Sequence, residues 1–524
     1  MWRKGWRDKI WSDLDQPWDL IVIGGGITGA GILREASRAG LKALLVEGHD
    51  FASGTSSRSS KLVHGGLRYL SNAQIKLTIE SVHERDRLLR EGRGLIEPLG
   101  NLIASYQGDR PAGWVFGAGL MVYDLLAGRW AHTHYAAAQV AELCPSITTD
   151  HLAGGYHYFD AQTDDARLVL RVILEAVRAG GAALNYACVA GLLRDQAGQV
   201  HGIQLRDQVG GRLQEVRAPV VISATGAWAD QLRRQVEAKP QLRPLRGSHL
   251  FFPLDKLPLT QAISFLHPID RRPVFAYPWE GVTLVGTTDV DHGGDVQSDP
   301  HLSLGEVEYL MQAVTHAFEP LNLGLNDVQS TLSGVRAVVN TGQANPSKES
   351  REFVLWDEHG LLTVTGGKLT TFRLMAHDAL RAVRQRLPDH PRFNAKERVL
   401  DPIDVAPIEQ LDPIAQTRLF GRYGVDTPDL INAAKADELQ PIGTSPALWA
   451  ELRWAARSEG VVHLDDLLLR RVRLGIIAPQ GGLPLMDRIR SIAQPELGWD
   501  DERWHVEAMN YSRLWRESYS IHSS

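Results

Sequence analysis

The chain has 524 residues, of which 44% are hydrophobic and 23% are charged, and its formal net charge is −6. This composition is typical of a globular protein and excludes a disordered chain, and the charge pattern does not suggest nucleic-acid binding. The length predicts about three domains, or one large fold with an appendix. We predict no signal peptide, because the first apolar run starts at Leu20 and no segment of the cleavage type precedes it. We predict no membrane span, because the most apolar stretch, 115–126, contains an aspartate and two glycines.

The first fourteen residues have an amphipathic pattern. Trp2, Trp6, Ile10 and Leu14 recur every four residues, and basic side chains lie between them. A helix with this pattern has an apolar stripe inside a positive surface, which suits a helix lying on an anionic membrane. The alternative, which we prefer, is a helix packed on the protein's own surface, because tryptophan packs as well in a core as at an interface.

A dinucleotide-binding motif follows this segment. A short β-branched run predicts a buried parallel strand, and directly after it Gly24, Gly26 and Gly29 fit the pattern G-x-G-x-x-G at the start of a predicted helix. These glycines allow a tight turn, close approach of a pyrophosphate and close packing of helix on strand. The next predicted strand ends at Glu47, which is suited to hydrogen-bonding a ribose diol. The constellation predicts a bound dinucleotide.

The loop after Glu47 indicates which dinucleotide is bound. Residues 50–61 are dense in hydroxyl groups and small side chains, and they are too polar for a core element. Such a loop can hydrogen-bond the diphosphate and ribityl chain of a flavin. The alternative is a solvated surface loop.

Further motifs occur between residues 19 and 390, and several of them are more specific than the glycine pattern. They are TSSRSSKLVHGGLRYL at 55–70, TDDARL at 163–168, SATGAW at 223–228, GSH at 247–249, GTTD at 286–289, SGVR at 333–336 and GGKLTT at 366–371. With these motifs in this order, the chain resembles the FAD-dependent, respiratory (aerobic) glycerol-3-phosphate dehydrogenases.

The resemblance implies a mixed α/β (α+β) fold. It consists of a Rossmann-like FAD domain of the glutathione-reductase type, an inserted substrate domain built on an antiparallel sheet, and a C-terminal helical domain. The short alternating runs between about 240 and 345 independently predict such a sheet. The predicted boundaries are 17–85, 155–239 and 346–390 for the FAD domain, 86–154 and 240–345 for the substrate domain, 395–524 for the helical domain, and 1–14 for the amphipathic segment.

The resemblance also implies an activity and partners. The expected reaction is oxidation of sn-glycerol 3-phosphate to dihydroxyacetone phosphate by hydride transfer from C2 to FAD, with electrons passed to membrane quinone. A cytoplasmic homodimer in peripheral contact with the cytoplasmic face of the cell membrane is expected, with no metal and no nucleic acid. Three alternatives stay open: a glycerol-3-phosphate oxidase that uses O2, a flavin-dependent amine or amino-acid oxidase of the same fold, and a flavin-binding sensor without catalytic activity.

A dianionic phosphate requires several basic side chains, and arginine gives forked contacts. The resemblance assigns substrate binding to Arg68, Tyr69, His249, Arg336, Arg351 and Lys368, and catalysis to His249, Arg336 and Lys368. His249 is the first candidate for the base that removes the C2 hydroxyl proton, and His64 is the second, with contact to the flavin as its other role. A buried structural histidine is the alternative for both. Arg336 could polarise the forming carbonyl.

The predicted cofactor-binding residues come from the same motifs. The glycines before a helix at 366–371 would place a helix N-terminus near the flavin, where its dipole favours negative charge. The full set is Ile23, Gly24, Gly25, Gly26, Ile27, Thr28, Gly29, Glu47, Gly48, Thr55, Ser56, Ser57, Ser60, Lys61, Leu62, His64, Val189, Ala224, Thr225, Gly226, Trp228, Gly367, Lys368, Leu369 and Thr370. For the C-terminal domain, membrane docking, dimer contacts and a lid all stay open.

Overall fold

The structure is a computed structural model that describes residues 2–67, 74–110, 112–128, 130–343, 346, 349, 352–404 and 407–521. The helices are α1 (Trp6–Ser12), α2 (Ile27–Arg38), α3 (Ile75–Glu91), α4 (Gly113–Ala127), α5 (Ala137–Leu143), α6 (Asp165–Arg178), α7 (Ala229–Gln235), α8 (Leu304–Ala317), α9 (Phe372–Val383), α10 (Pro413–Tyr423), α11 (Thr427–Ala433), α12 (Trp449–Ser458), α13 (Leu474–Ile477), α14 (Met486–Leu497) and α15 (Asp501–Tyr519).

The strands form three sheets. They are β1 (Leu20–Ile23), β2 (Ala43–Val46), β3 (Leu62–Val63), β4 (Ile96–Tyr106), β5 (Thr133–Ala136), β6 (Leu152–Thr163), β7 (Ala182–Leu184), β8 (Ala187–Arg194), β9 (Val200–Asp207), β10 (Leu213–Arg217), β11 (Val220–Ser223), β12 (Leu242–Pro253), β13 (Ala262–Leu266), β14 (Pro273–Trp279), β15 (Val282–Gly286), β16 (Val290–Asp291), β17 (Ser330–Val339), β18 (Phe353–Glu358) and β19 (Leu361–Gly366).

The first sheet has six strands in the order β18-β19-β11-β1-β2-β7, and β1 pairs in parallel with both β11 and β2. Leu20 and Val22 pack among α2, α6 and α9, whereas Ile21 and Ile23 pack against the three-stranded sheet of β8, β9 and β10. Both faces of β1 are therefore covered, which explains its uninterrupted apolar run. The carboxyl ends of β1 and β11 meet at the edge where open α/β sheets bind ligands.

The second sheet has ten strands, with β16-β12-β15-β14-β13-β4-β6-β3 in order, β17 on β12 and β5 on β6. Most neighbouring strands in this sheet are antiparallel, as predicted. Strands β13 and β4 are parallel to each other, and the sequence did not predict this pairing. Strand β6, which the predicted boundary at 155 divides, lies entirely in this sheet. The domain boundaries themselves stay a prediction.

The N-terminal segment packs on the protein itself. Trp2 and Leu14 are buried, and Trp6 and Ile10 are partly buried against the core. The Trp2 ring stacks on Phe51 with a centroid distance of 5.0 Å. The apolar stripe is therefore used inside the molecule, which is the alternative that we preferred, and α1 is shorter than the pattern suggested.

The C-terminal helices pack against the ten-stranded sheet. Their apolar side chains share a core with strands β14, β15 and β17 of the larger sheet. Buried ion pairs join the C-terminal part of the chain to the elements around the six-stranded sheet. Arg471 lies 2.6 Å from Asp50, which follows β2, and Glu459 lies 2.5 Å from Arg167 on α6. Separating the two parts would leave each of these buried charges without its partner, so the ion pairs fix the C-terminal helices against the rest of the protein.

Within the described part of the chain, no helix has both the length and the apolar character needed to cross a bilayer.

Candidate functional site

A cavity of about 1350 Å³ is lined by residues of both large sheets. All the predicted cofactor-binding residues line it except Gly25, Gly29, Ser57 and Lys61, which lie directly behind the lining. Three predicted substrate-binding residues, Arg68, Tyr69 and Arg351, lie outside the described residues. The predicted residues Arg336 and Lys368 line the same cavity.

The glycine motif forms a cradle on one side of this cavity. Gly24 has φ +111°, and a Cβ there would lie 2.6 Å from the carbonyl oxygen of Ala224. A Cβ on Gly29 would overlap the carbonyl oxygen of Gly24, so only glycine lets α2 approach β1 this closely. Gly26 and Ile27 at the start of α2 line the cavity, and Gly26 provides no side-chain cap. The helix N-terminus is therefore directed at whatever the cavity holds, which favours a phosphate.

Glu47 lies at the end of β2 and lines the cavity. Its carboxylate accepts hydrogen bonds from the backbone N–H groups of Gly25, at 2.7 Å, and His49, at 2.8 Å. Burial raises its pKa, and the two N–H groups oppose that shift. These two hydrogen bonds fix the orientation of the carboxylate at the wall of the cavity.

Lys61 supports the hydroxyl-rich loop from behind. Its ammonium donates to the carbonyl oxygen of Ser57 at 3.1 Å and lies 3.0 Å from Asp165. Arg473, from the C-terminal domain, donates to the same carbonyl at 2.9 Å. Burial, together with the charge of Arg473, lowers the pKa of Lys61 to about 8. The sequence predicts that Lys61 contacts the cofactor, but in the structure its ammonium contacts the carbonyl oxygen of Ser57 and the carboxylate of Asp165, and Lys61 does not line the cavity.

A cationic cluster lies in another part of the cavity. Arg336 on β17 lies 3.2 Å from Asp289 and donates to the hydroxyl of Thr287 at 3.5 Å. Arg272 also lines the cavity, 3.8 Å from the other carboxylate oxygen of Asp289. A Cβ on Gly247 would overlap the guanidinium of Arg336, so a larger residue at this position would displace the guanidinium. Arg272 was not recognised from the sequence, because its position in a polar turn does not distinguish it from a surface arginine.

Lys368 follows two glycines with positive φ, Gly366 and Gly367, and donates to the hydroxyl of Ser81 at 2.8 Å. Burial lowers the pKa of Lys368 to about 7. The helix predicted at this motif begins later, since a 3-10 turn precedes α9, which starts at Phe372.

The two candidate bases differ in position. His64 lines the cavity, whereas His249 is 1% exposed and lies behind the lining, with Nε2 2.8 Å from the hydroxyl of Ser60. Burial, then the positive charges of Arg336 and Lys61, lower the pKa of His249 to about 3, so it is neutral at pH 7. Ser60 itself lines the cavity and is the group through which His249 can reach it.

Comparisons with known proteins agree with this geometry. Residues 19–373 match the family model of FAD-dependent oxidoreductases, and residues 370–504 match that of the C-terminal domain of alpha-glycerophosphate oxidase. The aerobic glycerol-3-phosphate dehydrogenase of Staphylococcus haemolyticus is 34% identical over 89% of this chain and 88% of its own length. The chain belongs to the FAD-dependent glycerol-3-phosphate dehydrogenase family.

Solved structures extend the match. Glycerol-3-phosphate dehydrogenase from Bacillus halodurans, complexed with FAD, is 27% identical, covers 99% of this chain and 98% of its own, and has a TM-score of 0.78. L-alpha-glycerophosphate oxidase from Mycoplasma pneumoniae covers 73% of this chain and 98% of its own at 18% identity and a TM-score of 0.59, a likeness of fold.

FAD is the cofactor of this family, and the residues present fit it. The glycine cradle, the start of α2 and the held carboxylate of Glu47 line one cavity, as the pyrophosphate and ribose of a dinucleotide require. The first N–H of α2, that of Ile27, donates to the hydroxyl of Ser56 at 2.9 Å. The hydroxyl-rich loop lines the same cavity through Thr55, Ser56 and Ser60. The predicted fold class, family and cofactor are thus confirmed.

Proposed function

We propose that this chain oxidises sn-glycerol 3-phosphate to dihydroxyacetone phosphate and passes the electrons to a membrane quinone. The observation that carries the proposal is that the dinucleotide cradle and the cationic side chains Arg336 and Lys368 line one cavity. The names of the relatives support the same substrate. FAD, when bound, supplies the hydride acceptor.

The cationic cluster would bind the phosphate. A guanidinium offers a fork that matches phosphate oxygens, and Arg336 is held for this by Asp289. Arg272 and Lys368 add positive charge from the other lining elements. A neutral amine or a monoanionic carboxylate requires less positive charge than a dianionic phosphate, so several cations on one cavity favour the phosphate substrate over an amine or amino acid.

Removal of the hydroxyl proton requires a base within hydrogen-bond reach. The geometry favours His64 for direct contact because it lines the cavity, while His249 would act through the hydroxyl of Ser60. Replacing each histidine by alanine separates the two roles. If His249 acts through Ser60, Ser60→Ala and His249→Ala have the same effect on turnover, and a large effect of His64→Ala alone assigns the base to His64.

The membrane contact would use α4. Trp114 is 71% exposed, Met121 52% and Leu125 77%, and Trp130 beyond the end of the helix is 67% exposed. An exposed apolar face with tryptophan at both ends is typical of a helix lying in a membrane interface. We expect the double variant Met121→Asp, Leu125→Asp to lose sedimentation with anionic phospholipid vesicles while it keeps its flavin. Unchanged sedimentation would reject this surface.

The acceptor needs its own test, because the match of residues 370–504 carries the name of an oxidase. With saturating glycerol 3-phosphate, we expect dihydroxyacetone phosphate to form at a rate that depends on added quinone, with little hydrogen peroxide. Peroxide in equal amount to the product would establish the oxidase instead. Absence of product with either acceptor would reject the substrate. Light scattering of the purified protein tests the proposed homodimer.

A further inference from the structure

A buried carboxylate that belongs to none of the sequence motifs lies behind the cationic cluster. It is the side chain of Glu306, in the first turn of α8. Its Oε2 accepts hydrogen bonds from the backbone N–H of Ser303, at 3.0 Å, and from the Ser303 hydroxyl, at 2.9 Å. These bonds form a capping box, which stabilises the N-terminus of a helix and is an ordinary structural role for a glutamate at this position.

The other carboxylate oxygen, Oε1, contacts two of the motifs. It accepts hydrogen bonds from the hydroxyl of Ser248, in the motif GSH, at 2.9 Å and from that of Thr288, in GTTD, at 2.8 Å. The Thr288 hydroxyl also accepts from the backbone N–H of Ser248 at 3.0 Å. The Ser248 hydroxyl lies 2.8 Å from that of Ser333, in the motif SGVR. None of these four residues is more than 5% exposed, so Glu306 joins three motif segments inside the protein.

The motif segment around Thr288 holds Arg336. Asp289 and Thr287, on either side of Thr288, contact the guanidinium of Arg336 at 3.2 Å and 3.5 Å. The hydrogen bond from Thr288 to Glu306 therefore fixes the backbone between the two residues that orient the guanidinium.

The segment around Ser248 limits the position of the same side chain. Gly247 precedes Ser248, and a Cβ on Gly247 would lie 2.4 Å from NH2 of Arg336, so this guanidinium packs directly on the glycine. Ser333 pairs with Ser248 across β12 and β17, and it lies on the same strand as Arg336. Each segment that surrounds Arg336 is thus joined to Glu306.

Glu306 carries its charge in this environment. Burial opposes the charged form, but the hydrogen bonds from Arg246, Ser303 and Thr288 outweigh burial and lower the pKa of Glu306. The Arg246 guanidinium lies 2.6 Å from Oε2. An ionised carboxylate accepts through both oxygens, whereas an amide has one acceptor oxygen. Glutamine at this position therefore could not serve the capping box and the motif segments in the same way.

We propose that Glu306 is a positioning residue for substrate binding, which acts through Ser248 and Thr288 to hold the Arg336 guanidinium in place for the phosphate. The inference rests on the proposed function. Glu306 is not among the residues that line the cavity, so it acts through these neighbours. Its negative charge by itself opposes the binding of a dianion. Positioning and direct electrostatic action therefore have opposite signs: loss of the carboxylate raises KM if it positions Arg336 and lowers KM if only its charge is felt.

Two substitutions interrupt this arrangement, and a third is the matched control. Glu306→Gln keeps the size of the side chain and leaves one acceptor oxygen. Thr288→Val keeps the shape of the side chain and removes the hydroxyl that bonds both Glu306 and the Ser248 N–H. Ser303→Ala breaks the capping box and leaves the bonds between Glu306 and the motif segments intact. If the role of Glu306 were only to cap α8, Ser303→Ala and Glu306→Gln would have the same effects.

The holoenzymes would be compared for flavin content, thermal unfolding, kcat and KM with glycerol 3-phosphate, and the inhibition constant of 2-phosphoglycolate. Because small displacements of a binding group are costly, we expect KM and the inhibition constant to rise at least about fivefold in Thr288→Val and at least about threefold in Glu306→Gln. Flavin content should be unchanged, and kcat should fall less than KM rises. In the double variant the two effects should not multiply, since both substitutions break one connection. Ser303→Ala should lower the unfolding temperature and leave KM within about twofold of wild type.

Several results would overturn the inference. They are a KM within twofold of wild type in both Thr288→Val and Glu306→Gln, a lowered KM in Glu306→Gln, an equal rise of KM in Ser303→Ala, and effects that multiply in the double variant. Failure of glycerol 3-phosphate to bleach the flavin of the wild-type protein would instead reject the proposed function.

Discussion

The pH dependence of substrate binding follows from the position of Lys368. Its pKa is lowered to about 7 by burial, so in the enzyme without substrate the ammonium is half deprotonated at neutral pH. The substrate phosphate has a second pKa of about 6 and is a dianion above pH 7. Because the dianion binds the protonated lysine, KM should rise as pH rises. The factor 1 + 10^(pH − 7) increases from about 2 at pH 7 to about 100 at pH 9, which is about a fifty-fold rise.

The assay measures KM for glycerol 3-phosphate from pH 7 to 9 at constant ionic strength. Arginine stays charged over this range, so the KM of Lys368→Arg should change less than about threefold between pH 7 and pH 9. Lys368→Met should have a high KM that does not vary with pH. The inhibition constant of 2-phosphoglycolate, which carries the phosphate without the oxidisable carbon, separates binding from chemistry. A wild-type KM that is flat over this range, or the same slope in Lys368→Arg, would refute the reasoning.

Three further substitutions test other parts of the account. Gly29→Ala should purify with less than a tenth of the wild-type flavin, because its Cβ overlaps the carbonyl of Gly24, whereas Gly305→Ala, with nothing within 4 Å of its Cβ, should keep full flavin absorbance. Gly247→Ala displaces the guanidinium of Arg336, so KM for glycerol 3-phosphate should rise about tenfold, or about 1.4 kcal/mol, at unchanged flavin content; an unchanged KM would contradict the clamp. Trp2→Ala removes a side chain that is 4% exposed and should destabilise the protein by about 3–5 kcal/mol in thermal unfolding, without an effect on vesicle sedimentation.

The sequence predicted the parts of the site that local chain geometry dictates. Gly24, Gly29 and Glu47 are recognisable because a tight turn, a close helix and a ribose-binding carboxylate require those residue types at fixed spacing. Arg272 could not be recognised, because its function depends on sharing Asp289 with Arg336, which is distant in sequence. The parallel pairing of β4 with β13 was missed for the same reason.

The two histidines illustrate a further limit. His249 ranked above His64 as the candidate base, but the motifs that contain the two histidines do not indicate how deeply each side chain is buried. In the structure, the hydroxyl of Ser60 lies between His249 and the cavity. Likewise, α4 was read only as a failed membrane span, and its exposed face and its contact with the cavity depend on which elements cover it.

The most direct test of the central claim is anaerobic. The purified yellow protein is mixed with sn-glycerol 3-phosphate in a stopped-flow spectrophotometer, and the visible flavin band is followed, with glycerol and sn-glycerol 1-phosphate as controls. The account predicts rapid bleaching with sn-glycerol 3-phosphate alone, and bleaching at least tenfold slower in Arg336→Met. A stable flavin band in the presence of this substrate, in a protein that carries its full flavin, would contradict the account.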